Sequence, residues 1–271
     1  MTLVLDAYGL RPSGRPSRER DGVVRIATTA GDKAVRRYPP ARATPAIEYE
    51  HALERTLASR AFPVVRINRT LDGGTIVRAE GDRFAVFDDV AGPDLHGRRR
   101  RAARVHAWSA AGSLLARFHL LLREAPRAPD GIGTSDGVGS ALTTLEALAN
   151  ERPPASNTRL ARNWRWLREH TLAIAEPLAA AERGLAGAPM SRTVVHGAFG
   201  ARSVRFRREG APVLVELEHA HEDRRLTDLV DVLSAAVEPD AAAFLAGYDG
   251  VHGDRGEEWR LLGSVWCSHR L

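Results

Sequence analysis

The sequence predicts an α+β protein of two lobes, a small antiparallel sheet with one helix followed by a larger, mostly helical part. Short alternating or apolar runs crowd the first third of the chain, and apolar residues spaced by three and four dominate the rest. The pattern changes near Gly92-Pro93, which divides the chain into residues 1–92 and 93–271.

The strand signals fall at residues 23–28, 34–38, 63–68, 75–78 and 84–88, with a hairpin turn at Gly31-Asp32. A helix over residues 46–60 interrupts them, and Pro45 suits its first turn. In the second part, Val105, Trp108, Gly112, Leu115, His119 and Leu122 form one apolar stripe, which puts His119 on the buried side of a helix. Residues 125–139, rich in Gly, Pro and Asp, read as a connection. Helical stretches are expected at 141–150 and 157–184, a strand at 213–218, and two closing helices in 240–271.

Composition sets the class. The chain has 271 residues, 44% hydrophobic and 27% charged, enough for a sizeable core. No apolar run reaches the ~18 residues of a membrane span, and residues 1–10 are too short and too soon acidic for a signal peptide. Cys267 is the single cysteine, so no internal disulfide can form and a cytoplasmic setting is expected. Lys33 is the single lysine, and it stands three residues from Arg36, on the other face of a strand.

The most informative stretch is His196-Gly197-Ala198-Phe199-Gly200-Ala201-Arg202-Ser203, followed by Val213-Leu214-Val215-Glu216-Leu217-Glu218. It resembles the aminoglycoside phosphotransferase and choline kinase family, in which a His-Gly-Asp-x4-Asn loop precedes an apolar strand ending in a metal-binding Asp. The resemblance extends through Ala34-Val35-Arg36-Arg37-Tyr38, Glu50, residues 84–92, Gly112 to His119, and Asp228-Leu229, covering about residues 20–250. It implies a protein-kinase-like fold. It also places Ala198 at the base Asp, Ser203 at the loop Asn, Glu216 at the metal Asp and Arg36 at the phosphate-binding Lys, with Glu50 as the partner of Arg36.

Each of these exchanges touches the chemistry. Phosphoryl transfer relies on Mg²⁺ held by Asp and Asn and on an acceptor hydroxyl held by the loop Asp. Loss of a general base alone costs about 10² to 10⁴ in rate. Glu for Asp moves a carboxylate by about 1 Å, which can itself cost roughly 10²-fold. His196, Gly197, His119 and Asp228, which shape the loop, are kept. The resemblance therefore implies a pseudokinase with no cofactor, in which Arg36 and Glu50 are a vestigial nucleotide-lobe pair. The 11–22 segment, with two prolines and two glycines, also makes a poor phosphate cradle.

Two alternatives stay open. One is an active small-molecule kinase binding ATP and Mg²⁺, in which Glu216 and Glu218 alternate on a strand and share a face; no other metal ligand is expected. The other is a nucleotide-independent enzyme, such as a cyclase of a ribosomally made lanthipeptide or thioamide-type peptide, in bacterial natural product biosynthesis. It would take His196, His219 or His221 as base and Arg36 or Arg202 as anion stabiliser.

Two basic clusters point to a partner. Arg98, Arg99, Arg100, Arg101 and Arg104 form the first, and Arg202, Arg205, Arg207 and Arg208 surround the loop. A positive groove favours an acidic peptide or protein; a solvated helix face is the plainer reading of the first cluster. Nucleic acid is disfavoured because no aromatic side chains interleave with the arginines.

Overall fold

The computed structural model describes residues 1–17, 22–97, 101–125, 147, 150–151, 159–185, 188, 190, 192–253 and 256–270. A four-stranded antiparallel sheet forms the first part, in the order β1 (Val23–Thr28), β2 (Gly31–Tyr38), β4 (Asp82–Asp88), β3 (Val77–Ala79). Alternation along β2 gives the sheet two uses. Val35 points to one face and meets Ile26, Val86 and the side chains of a short N-terminal helix, α1 (Thr2–Ala7), in a small core. Ala34 and Arg36 point to the other, where Phe87 of β4 also lies. Helix α2 (Thr44–Ser59) packs Ile47, Leu53 and Leu57 into the main core.

Three differences from the expected strands have local causes. The β1–β2 turn falls at Thr29-Ala30, two residues before the predicted Gly31-Asp32, because Gly31 at φ 94° already pairs with Thr28. Residues 63–68 form no strand. Val64 bridges Leu214 in the second lobe and Ile67 bridges Phe87 in the first, so the segment changes partner before a ladder can extend. Helix α1 was not predicted; Val4, Leu5, Tyr8 and Leu10 cover the outer face of the sheet.

The second part is mostly helical: α3 (Arg101–Leu121), α4 (Arg159–Glu169), α5 (Thr171–Leu185), α6 (Leu226–Ala235), α7 (Glu238–His252) and α8 (Leu262–Arg270). Trp108, Leu115 and His119 of α3 are buried as the stripe predicts, whereas Val105 is exposed. The single helix expected over 157–184 is two, broken at His170, whose Nδ1 competes for the Trp166 carbonyl at 2.7 Å. Most of residues 125–150, with the connection and the helix expected there, lies outside the described residues. Two small sheets, β5 (Arg192–Val195) with β8 (His221–Arg224) and β6 (Val204–Phe206) with β7 (Pro212–Leu214), sit against the first lobe. Among the described residues, no helix is long and apolar enough to cross a membrane.

Candidate functional site

Between the sheet and the helical part lies a cleft floored by Val65 and Val215 and walled by Ala34, Phe87 and Val90. The chain passes from one lobe to the other at Gly92, where a Cβ would come within 1.6 Å of the Phe206 carbonyl oxygen. Only glycine permits that approach.

Arg36 reaches into the cleft from β2, and its surroundings fix it. Its Nη1 donates to Glu50 Oε1 of α2 at 3.0 Å and to Glu218 Oε2 at 3.2 Å. Arg42 closes the ring, donating from Nη2 to Glu50 Oε2 at 2.9 Å and to the Glu218 carbonyl at 2.7 Å. Tyr38 also places its hydroxyl 3.3 Å from Glu50 Oε1. Burial pushes the Glu50 carboxyl upward against the opposing pull of Arg36 and Arg42. Burial works against the Arg36 charge, yet Glu50 and Glu218 outweigh it and hold the guanidinium charged. The Arg36–Glu50 pair predicted from sequence is thus present, and Glu218 joins it. Lys33, on the other face, does not itself line the cleft; it binds Asp88 at 2.6 Å and Asn68 at 3.2 Å.

The loop after β5 hangs on Asp228, the third residue of α6. This fully buried carboxylate accepts from the backbone N–H of His196 at 2.7 Å and of Gly197 at 2.9 Å, and lies 3.0 Å from His119 Nε2. His119 Nδ1 in turn meets the Tyr248 hydroxyl at 2.9 Å. Burial would raise the Asp228 pKa, but the His119 contact and the loop N–H groups lower it. Gly197 has φ 78°, and a Cβ there would lie 2.1 Å from the His219 carbonyl oxygen.

The remaining sequence-predicted residues divide. Ala198 is exposed on the loop. Ser203 is buried; its hydroxyl accepts from Gly200 N–H and donates to the Ala198 carbonyl, so it works inside the loop. His196 is buried against Phe118 and Phe199, with Nε2 3.1 Å from the Val215 carbonyl, and burial depresses its pKa. A base must reach solvent or substrate, so the expected base role of His196 is corrected. His219 is exposed, 3.5 Å from Glu218. His221 is half-buried with Nδ1 2.7 Å from the His219 carbonyl.

The strand predicted over 213–218 ends at Leu214. Glu216 is left-handed, φ 64° and ψ 56°, and Glu218 lies in a 3₁₀ turn, Leu217–His219. The two carboxylates therefore do not alternate on a strand face, which removes the basis for their joint hold on Mg²⁺. Glu216 lines the cleft mouth and is exposed, whereas Glu218 is turned onto Arg36. Among the described residues, no group of three His, Cys, Asp or Glu is placed to hold a metal ion.

The basic clusters also need correction. Arg98, Arg99 and Arg100 lie outside the described residues, and Arg101 is exposed. Arg104 is not a free cation: its guanidinium grips both carboxylate oxygens of Asp240, in the first turn of α7. Arg205 lines the cleft and donates to the Gly92 carbonyl at 3.4 Å. Within the cleft, Arg25, Arg36 and Arg205 face Glu54, Asp88, Asp89 and Glu216, so its lining is of mixed charge and not the positive groove expected. Arg202, Arg207 and Arg208 are exposed outside it.

Sequence reading missed Glu54. It stands one helical turn beyond Glu50, between Leu53 and Leu57, which marks it as a carboxyl on an apolar face. It is 2% exposed at the inner end of the cleft, and its Oε2 has no hydrogen-bond partner. Burial, then the nearby Glu50, push its pKa well up, with Arg36 opposing. The folded form therefore binds this proton more tightly than the unfolded chain. Above the ordinary Glu value of roughly 4.3, unfolding releases the proton, and stability falls as pH rises toward the raised folded value. Glu54→Leu should stabilise the protein by about 1 to 3 kcal/mol near neutrality, with the gain shrinking on acidification. Denaturation midpoints of both proteins across that range check this.

A small antiparallel sheet, one packed helix, a glycine crossing and an Asp-anchored loop on a helical lobe define the two-lobed kinase-like class. The chain belongs to the phosphotransferase enzyme family, whose model matches residues 15–262. No curated protein sequence matches it. Solved structures share the fold at low identity. An amicoumacin kinase in complex with AMP-PNP, Ca²⁺ and amicoumacin has a TM-score of 0.72 at 12% identity, covering 98% of this chain and 82% of that one. An aminoglycoside phosphotransferase from Alicyclobacillus acidocaldarius gives 0.67 at 17% identity, with 98% and 81% covered. The choline kinase of Streptococcus pneumoniae gives 0.61 at 12%, with 98% and 87% covered.

Proposed function

We propose that this chain is a pseudokinase, a phosphotransferase-family protein that uses its fold for binding and not for phosphoryl transfer. The observation that carries the reading is the seating of Arg36 between Glu50 and Glu218. A cation at the phosphate-binding position is held there by two carboxylates, and a nucleotide phosphate would have to displace Glu218 to reach it. The rest of the site does not fit a metal-bound nucleotide. Ala198 has no proton acceptor, the Ser203 hydroxyl is committed to its own loop, and Glu216, which lines the cleft, belongs to no group of three potential metal ligands among the described residues. Mg²⁺ requires several oxygen ligands in strict octahedral geometry.

The binding partner on this reading is an acidic peptide or protein recognised by exposed arginines outside the cleft, Arg202, Arg207 and Arg208. Thermal denaturation with ATP, alone and with Mg²⁺ or Mn²⁺, tests the first half. A ligand of the folded state raises its apparent stability, so the expected result is no metal-dependent rise. A clear rise that Glu216→Ala removes would favour an active kinase.

A further inference from the structure

Glu54 destabilises the fold, and none of the contacts described above explains its presence. It stands on the face of α2 that otherwise carries Ile47, Leu53 and Leu57 into the core, and it lines the cleft although only 2% exposed. Among the described residues nothing donates a hydrogen bond to either of its oxygens. Oε2 is sealed within the protein, whereas Oε1 is not and meets the cleft. Neighbouring charges are matched elsewhere: Arg36 by Glu50 and Glu218, Arg25 by Asp89, and Asp88 by Lys33. Val65, Phe87, Val90 and Val215 share the lining.

A carboxyl this buried, beside Glu50 and bonded to no cation, is held neutral. In that form it offers an O–H donor as well as an acceptor. The cleft has a volume of about 70 Å³, more than the roughly 10–15 Å³ that one water needs. Residues that cost stability and are nonetheless kept are commonly those that binding or activity needs.

We propose that the cleft binds a neutral small molecule, an amide on an apolar body, whose amide group meets Glu54 Oε1 and whose body lies against Val65, Phe87 and Val215. An amide can accept the acid proton through its carbonyl or donate an N–H to the carboxyl oxygen. A cation would have to approach Arg36 and draw the proton from Glu54, and a carboxylate would bring a further charge out of water. The inference rests on the pseudokinase reading only in needing a cleft free of nucleotide. Its test contains no nucleotide, so the two can fail separately.

The probe is benzamide, titrated into the whole protein and followed by ligand-observed NMR, with benzylammonium and benzoate as charged analogues of similar shape. Wild type is expected to bind benzamide with a Kd of about 1 mM or tighter, and better than either charged analogue. Glu54→Leu, which should fold more stably, is expected to bind it about five- to tenfold more weakly. Glu54→Gln, which keeps a donor and an acceptor, should bind it within about twofold of wild type. The proposal is overturned if benzamide does not bind at about 10 mM, ten times that Kd, or if a charged analogue binds more tightly. It is equally overturned if Glu54→Leu binds benzamide as wild type does, which would leave Glu54 to a buried water.

Discussion

Replacing Asp228 by Ala is expected to destabilise the protein by about 3 to 5 kcal/mol, the largest single effect in the site. Three donors converge on this carboxylate, the His196 and Gly197 N–H groups and His119 Nε2, and all are buried or nearly so. Each unsatisfied buried donor costs about 1 to 3 kcal/mol. The His196 loop, which Asp228 holds against α3 and α6, should loosen with it. Because the folded-state pKa is depressed, the carboxylate stabilises the protein above its ordinary value of roughly 3.9 and that contribution is lost as pH falls through the folded value. Urea denaturation of wild type and Asp228→Ala checks the size. A loss below about 1 kcal/mol would mean that the loop does not depend on this anchor.

Glu50→Ala should cost nearly as much, about 3 to 5 kcal/mol, because it takes the buried carboxylate from two cations at once. The Glu50 side chain is 1% exposed and receives Arg36, Arg42 and the Tyr38 hydroxyl. Glu218 binds the same Arg36 from a side chain 35% exposed, where water screens the pair. Glu218→Ala is therefore expected to cost only about 0 to 1 kcal/mol. The contrast separates the two roles: Glu50 is the buried partner of Arg36 and Arg42, and Glu218 is the partly exposed partner of Arg36 that, on the proposed reading, keeps it occupied. Equal losses in the two variants would deny Glu218 that separate role.

The fold was legible where periodicity was long or spacing was rigid. The stripe from Trp108 to His119 located α3, and the alternation through Ala34 and Arg36 located β2 and the face that Arg36 presents. Residues 63–68 were misread because an alternating pattern reports burial on one side at a time, not whether both bridges go to one strand. The misreading of 213–218 has a sharper cause. Apolar alternation continues through Leu217, but Glu216 turns left-handed, a conformation that side chains rarely adopt and that pattern does not announce. This one dihedral decides where Glu218 points, and with it whether Arg36 is open. The Arg104–Asp240 contact spans 136 residues and could not be seen in local charge runs. Glu54 was visible in principle, as a carboxyl at a core position of α2.

The account rests on the claim that this cleft does not transfer the γ-phosphoryl group of ATP. The most direct measurement is ATP consumption by purified protein with Mg²⁺, run beside Glu216→Ala. Equal background rates for both proteins are expected, since no residue on the loop can accept the acceptor's proton and Arg36 is held by Glu218. Turnover by wild type that disappears in Glu216→Ala would contradict the account and make Glu216 a metal ligand of a working kinase.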